Sequence, residues 1–187
     1  MKRLAKSEKQ YRADLAAKKK EVERLNKEIQ KLLKTTVAAQ KKDQTKVDTA
    51  LSDEFAKNKG KLPWPIKQGV IVERFGVHNH PVYTNLKLPD NPGITFSTAK
   101  SADVFCVFDG EVRKIIVMPG YNQCVLVQHG EYFTLYCKLG KVSVKSGQKV
   151  KTGDKLGTLE ADSNTSTLHF QLWKGTDKQD PEKWLKK

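Results

Sequence analysis

Histidine is scarce in this chain, with four in 187 residues. His169 sits in the run STLHFQLW (166–173), where polar and apolar residues alternate. His78 and His80 form an H-x-H triplet, His129 follows an apolar run, and Asp90 adds a carboxylate between them in sequence. The chemistry within reach of such residues is zinc-assisted hydrolysis, in which about three imidazole, thiolate or carboxylate donors hold the ion and leave a position for water. His169 alone cannot do this, so partners must come from distant segments. Cys106, Cys124 and Cys137 do not supply them: they are odd in number, lack metal spacing, and are expected to be small buried apolar residues rather than a disulfide framework.

The elements that would position these residues divide sharply. All 12 Gly and all 7 Pro fall from Gly60 onward. The formal net charge of +14 is shared between the two parts, with 17 Lys/Arg against 9 Asp/Glu in residues 1–60 and 18 against 12 in the remainder. A basic balance fits nucleic acid, anionic lipid or an acidic polymer such as a cell-wall glycan, and charge alone does not choose. No apolar stretch of about 18 residues is present and no charged-then-apolar leader. The chain opens in mid-pattern at Met1-Lys2-Arg3-Leu4, as a piece cut from a longer protein would, so a missing leader says little about location.

In the first part, Leu4, Tyr11, Leu25 and Leu32 step by sevens, as do Leu15, Val22 and Ile29. The two series form the a and d positions of about four heptads, interrupted by Glu8 and Lys18, and predict a coiled-coil seam. Its charged flanks lack aromatic interleaving, which argues for pairing or spacing over nucleic-acid binding. Residues 49–59 predict a short amphipathic helix around Leu51 and Phe55, and Gly60-Lys61-Leu62-Pro63-Trp64-Pro65 ends helical structure. Beyond it, short runs rich in Val, Ile, Phe and Tyr (69–72, 103–108, 112–117, 124–128, 132–136, 168–172) predict an all-β sandwich or barrel. The stretch 142–157, with glycines at 147, 153 and 157, has the texture of tight barrel corners.

Several of these stretches occur in an order that resembles the LytM, or lysostaphin-type, zinc peptidase domain. They are GVIVERFG (69–76), His80-Pro81, DGEV (109–112), GYN (120–122), QHG (128–130), YCKL (136–139), the glycine-rich stretch, TLHF (167–170), Asp180-Pro181 and Trp184-Leu185. The resemblance implies three segments: a coiled-coil helix over 1–48, a linker with a short helix over 49–61, and a mainly β, barrel-sandwich-like LytM-type domain over 62–187. Active members of that family hold zinc with H-x-x-x-D and the second His of H-x-H, while the first His of H-x-H and a His after Tyr-x assist catalysis.

Laid on this chain, Asn91 stands at the ligand His, Thr95 at the ligand Asp, Thr167 at the first His of H-x-H and Lys138 at the assisting His. Only His169 matches, and His80 would line the cleft. Asn and Thr are weak neutral ligands for Zn²⁺, Lys138 adds an opposing charge, and no imidazole remains to accept a proton from water. The resemblance therefore implies a zinc site that is lost, with no catalytic residues and no cofactor.

A disarmed LytM domain behind a coiled coil resembles the EnvC-like activators of cell-wall amidases. That likeness implies a non-catalytic envelope or periplasmic protein that activates an N-acetylmuramoyl-alanine amidase during cell-wall remodelling or division. Its degenerate groove (Asn91, Thr95, Lys138, Thr167, His169, His80) would be the docking surface, residues 49–59 the candidate cover of that groove, and the coiled coil the link to a membrane-protein partner. Direct contact with peptidoglycan is a further expectation, and no nucleic acid is expected. Tyr83, Tyr121, Tyr132 and Trp173 are candidates for the groove wall, though aromatic residues in such runs more often pack inside. The alternatives are a zinc metalloendopeptidase with substituted ligands, drawing on His78, His80, His129 or Asp90, and a peptidoglycan-binding module.

Overall fold

The computed structural model describes residues 2–42, 48–79, 87–162 and 164–187. Among these described residues, helix α1 (Lys2–Lys42) is followed by α2 (Thr49–Lys57) and ten strands: β1 (Val70–Glu73), β2 (Ile94–Ala99), β3 (Asp103–Phe105), β4 (Gly110–Met118), β5 (Asn122–His129), β6 (Tyr132–Val142), β7 (Lys149–Val150), β8 (Lys155–Leu159), β9 (Thr165–Lys174) and β10 (Asp177–Gln179). The strands join in one sheet of order β1-β2-β9-β6-β5-β4-β7, with β10 beside β9 and β8 bridging β3 and β6. Every strand pairing is antiparallel. The run expected over 103–108 ends at Phe105. Strands β2 and β10 carry no sequence run that announced them.

Period-two alternation sends side chains to two faces, and here both are buried. Val125 and Val127 of β5, Tyr132 and Tyr136 of β6, and Leu168, Phe170 and Leu172 of β9 fill one cluster. Cys124 and Leu126, Phe133, Leu135 and Cys137, and Trp173 fill a second on the opposite face. Strands covered on both faces read as nearly continuous apolar runs, which is how β5 and β6 look in the sequence.

Part of the second face is covered by α1. Ile29 and Leu33 are fully buried there, with Leu32 and Val37 packed alongside. An apolar stripe repeating every seven residues needs an apolar partner surface, and within a single chain a sheet face serves as well as a second helix. The stripe expected to form a coiled-coil seam therefore meets the chain's own β-domain over its C-terminal half.

The short helix expected over 49–59 forms as α2, capped by Asp48, whose carboxylate accepts from the Leu51 N–H at 2.9 Å. Its anchor is Phe55, stacked on His129 at 5.0 Å and Tyr132 at 4.7 Å, set edge-on to Phe108 at 5.3 Å and tilted against Trp184 at 5.3 Å. Ser52 Oγ accepts the Glu131 N–H at 2.9 Å. Gly130, at φ +68°, lies so near that a Cβ there would stand 2.1 Å from Ser52 Oγ. Phe55→Ala empties a site enclosed by four aromatic rings and is expected to cost about 3–5 kcal/mol in urea unfolding; a loss below about 1 kcal/mol would show that α2 is loosely held.

Candidate functional site

The site is built on the second face, where β2, β9 and β6 lie side by side. Thr95 of β2 is directly opposite His169 of β9, and Cys137 of β6 is opposite His169 on the other side. Alternation along β9 puts Thr167, His169, Gln171 and Trp173 on one face. The sheet thus brings together four of the residues singled out from sequence: Thr95, Lys138, Thr167 and His169. Asn91 lies just before β2 and lines the adjoining cleft. His80 and Tyr83 lie outside the described residues.

A directed chain of hydrogen bonds runs through the floor. Trp173 Nε1–H donates to Gln171 Oε1 at 2.9 Å. An indole N–H can only donate, so the Gln171 amide is turned with its NH₂ toward His169 Nε2, 3.0 Å away. His169 Nε2 then accepts, and Nδ1 carries the proton, 3.1 Å from Thr95 Oγ1. The Thr95 hydroxyl in turn donates to Glu73 Oε2 at 2.8 Å. His169 is 2% exposed. Burial pushes its imidazole down to about 4, and the Lys138 ammonium acts in the same sense against an opposing pull from Glu73.

Lys138 holds a left-handed backbone at φ +71°, a conformation that costs a non-glycine residue on the order of 1 kcal/mol. Its N–H donates to the Tyr121 carbonyl at 2.7 Å. Its Nζ donates to Thr167 Oγ1 at 3.1 Å and lies 5.9 Å from the Tyr121 ring centre. Tyr121 meets His169 edge-on at 5.0 Å. Asn91 is tied locally, its Nδ2 donating to the Arg74 carbonyl at 3.0 Å and its Oδ1 accepting from the Gly93 N–H at 3.2 Å. Gly93 passes so close to β9 that a Cβ there would stand 2.1 Å from the Phe170 carbonyl oxygen.

Beside this floor lies a cleft of about 640 Å³ lined by Ile71, Val72, Glu73, Asn91 and Tyr121 on the domain and by Asp14, Leu15 and Val22 of α1. This corrects the expectation that residues 49–59 cover the groove. Phe55 draws α2 into the first core cluster instead, and α1 borders the groove. Of the aromatic candidates, Tyr121 lines the groove while Tyr132 and Trp173 are buried.

The other ionisable candidates are scattered. His129 ends β5 fully buried, with Nδ1 2.7 Å from the Asp109 carbonyl and Nε2 2.8 Å from Thr134 Oγ1, and burial pushes it down to about 4. It is a core histidine. His78 is exposed beside the Phe75 carbonyl at 2.7 Å, and Asp90 pairs with Lys178. Among the described residues no three His, Cys, Asp or Glu side chains are grouped to hold a metal ion.

The cysteines also depart from expectation. Cys124 and Cys137 form a disulfide between β5 and β6, and Cys106 stays free and buried, its thiol pushed up to about 11 by burial. Register explains the pairing. The two strands are out of step by one residue between Gln123 and Val125, which brings together two sulfurs separated by 13 positions in sequence. Glu73, Gln171 and Tyr121 were not among the predicted groove-floor positions, although Gln171 and Trp173, two and four residues beyond His169, share its strand face by simple alternation.

The two-faced antiparallel sheet with its groove at β2, β9 and β6 carries the residues, 89–181, that match the model of Peptidase family M23. Two relatives are named for cell division and for murein hydrolase activation. The cell division protein DipM of Caulobacter vibrioides is 33% identical over 63% of this chain and 19% of its own length. The murein hydrolase activator NlpD of Escherichia coli is 28% identical over 58% of this chain and 27% of its own. A zinc-containing peptidase from Vibrio cholerae superposes with a TM-score of 0.56 at 26% identity, over 67% of this chain and 40% of that one. The chain thus spans well under half the length of each.

Proposed function

We propose that this chain is a non-catalytic M23 domain of the cell envelope that activates a peptidoglycan amidase by docking it in the groove at Thr95, Lys138, Thr167 and His169. The observation that carries this reading is the hydrogen-bonded chain itself. Both ring nitrogens of His169 are committed, to Gln171 and Thr95, and the positions that the resemblance assigns to the other two ligands hold a neutral amide and a hydroxyl. That donor set does not fit zinc: Asn and Thr contribute no anionic or imidazole donor, and Lys138 places a positive charge beside the floor.

The relatives' names, a cell division protein and a murein hydrolase activator, support the setting in cell-wall remodelling. The Cys124–Cys137 disulfide supports an oxidising compartment such as the periplasm. In this reading α1, which borders the groove, is the segment that must shift when a partner docks, and its seven-residue apolar stripe is the part that pairs with a membrane protein.

The test uses dye-labelled sacculi with a purified N-acetylmuramoyl-alanine amidase. The chain is expected to accelerate dye release by the amidase and to release none alone, with or without added Zn²⁺. Zinc-dependent cleavage by the chain alone would establish the peptidase reading that the Vibrio cholerae structure favours. Equal amidase rates with and without the chain would remove the activator reading.

A further inference from the structure

We infer that Cys124 and Cys137 are positioning residues for the groove, a covalent clamp whose reduction loosens the wall formed by Tyr121 and Lys138. Tyr121 is carried on the turn between β4 and β5, held within that turn by its N–H to the Met118 carbonyl at 3.0 Å. What ties the turn to the groove is the Lys138 N–H on the Tyr121 carbonyl at 2.7 Å. The disulfide stands directly behind that bond: Cys137 adjoins Lys138, and Cys124 Sγ lies 3.7 Å from the same Tyr121 carbonyl. Lys138 keeps a left-handed backbone at φ +71°, so the segment after Cys137 is held in a conformation that it would leave if released. Closing the ring across the two strands removes the alternatives from both partners at once.

The consequence reaches the floor. Tyr121 packs edge-on to His169 and beneath the Lys138 ammonium, and Lys138 reaches Thr167. Loss of the clamp therefore disturbs one wall and two floor contacts together while leaving the Trp173–Gln171–His169–Thr95–Glu73 chain on β9 and β2 in place. The step is ordinary thiol–disulfide exchange. A small or protein dithiol attacks one sulfur, passes through a mixed disulfide, and leaves as its own disulfide having given up two electrons and two protons, so that Cys124 and Cys137 both end as S–H. Both sulfurs are buried beneath Ile29 and Leu33 of α1, so exchange proceeds through local opening of that face.

This inference rests on the groove being the docking surface, but its test reads the clamp directly. Amide hydrogen exchange is followed in the full chain as purified under oxidising conditions, after reduction with dithiothreitol, and in Cys124→Ala/Cys137→Ala. The Lys138 amide is expected to lose about tenfold or more of its protection, relative to the Phe96 and Leu168 amides, in both the reduced protein and the double variant. A bond that merely adds global stability would shift all three amides alike, and that result overturns the inference. So does finding three titratable thiols, in place of Cys106 alone, in the oxidised protein denatured without reductant. If protection shifts as expected while the amidase ignores both forms, the clamp stands and the docking reading falls. If protection is unchanged and both forms activate equally, the clamp falls and docking stands.

Discussion

Asn91→His combined with Thr95→Asp is expected to take up about one zinc per chain, while the parent takes up almost none, measured by elemental analysis after dialysis without chelator. The argument is geometric. Thr95 lies opposite His169 in the β2–β9 register, with its hydroxyl 3.1 Å from Nδ1, so a carboxylate there faces the ring nitrogen that carries the proton. Zinc displaces that proton, as metal binding to imidazole requires. Asn91 lines the adjoining cleft, and a histidine there would complete a three-donor set. Lys138 opposes the ion, so adding Lys138→Gln should tighten binding further. A double variant that folds yet stays free of zinc would show that the family's ligand positions fall elsewhere in this chain.

Acid should unfold the domain well above the usual carboxylate range. His129 and His169 are both buried, and both are pushed from an ordinary 6.5 down to about 4. In the folded state each stays neutral while the unfolded chain takes up a proton. The stability they contribute is complete above pH 6.5 and is lost as pH falls from 6.5 through about 4. Each histidine accounts for on the order of 3 kcal/mol across that window, a large share of the roughly 5–15 kcal/mol of a typical domain. The urea midpoint should fall steeply between pH 7 and pH 4, and His129→Gln should flatten the slope. A midpoint constant over that range would mean that the two rings are not buried as described.

The β-domain was legible because its physics is local. Proline and glycine clusters at 60–65 mark where helix ends, and alternating or continuous apolar runs give most of the long strands. The site was legible only at the positions a motif could reach, Thr95, Lys138, Thr167 and His169, and these the sheet brings together. Glu73 and Gln171 were missed because their roles depend on register, Glu73 reaching Thr95 from a neighbouring strand, while Tyr121 was named for the wall but not its place on a turn held by a backbone bond. Cys124 and Cys137 were read as packing residues because a spacing of 13 carries no signal until a slip between β5 and β6 is known. Strand β2 was hidden by the Asn91-Pro92-Gly93 opening, which reads as a turn. The seven-residue stripe of α1 was read correctly as a stripe, but a stripe does not declare whether helix or sheet will meet it.

The two-faced burial of β5, β6 and β9 restricts what can visit the groove. Ile29 and Leu33 share one buried cluster with Leu126, Phe133, Leu135 and Trp173, so lifting α1 does not open a wet channel; it bares an oily plate. Water is a poor replacement for those contacts, and a bared plate would adhere to the next chain it met. A visitor able to displace α1 must therefore bring its own aliphatic or aromatic side chains in the same movement, making the event an exchange of one greasy cover for another rather than the opening of a door.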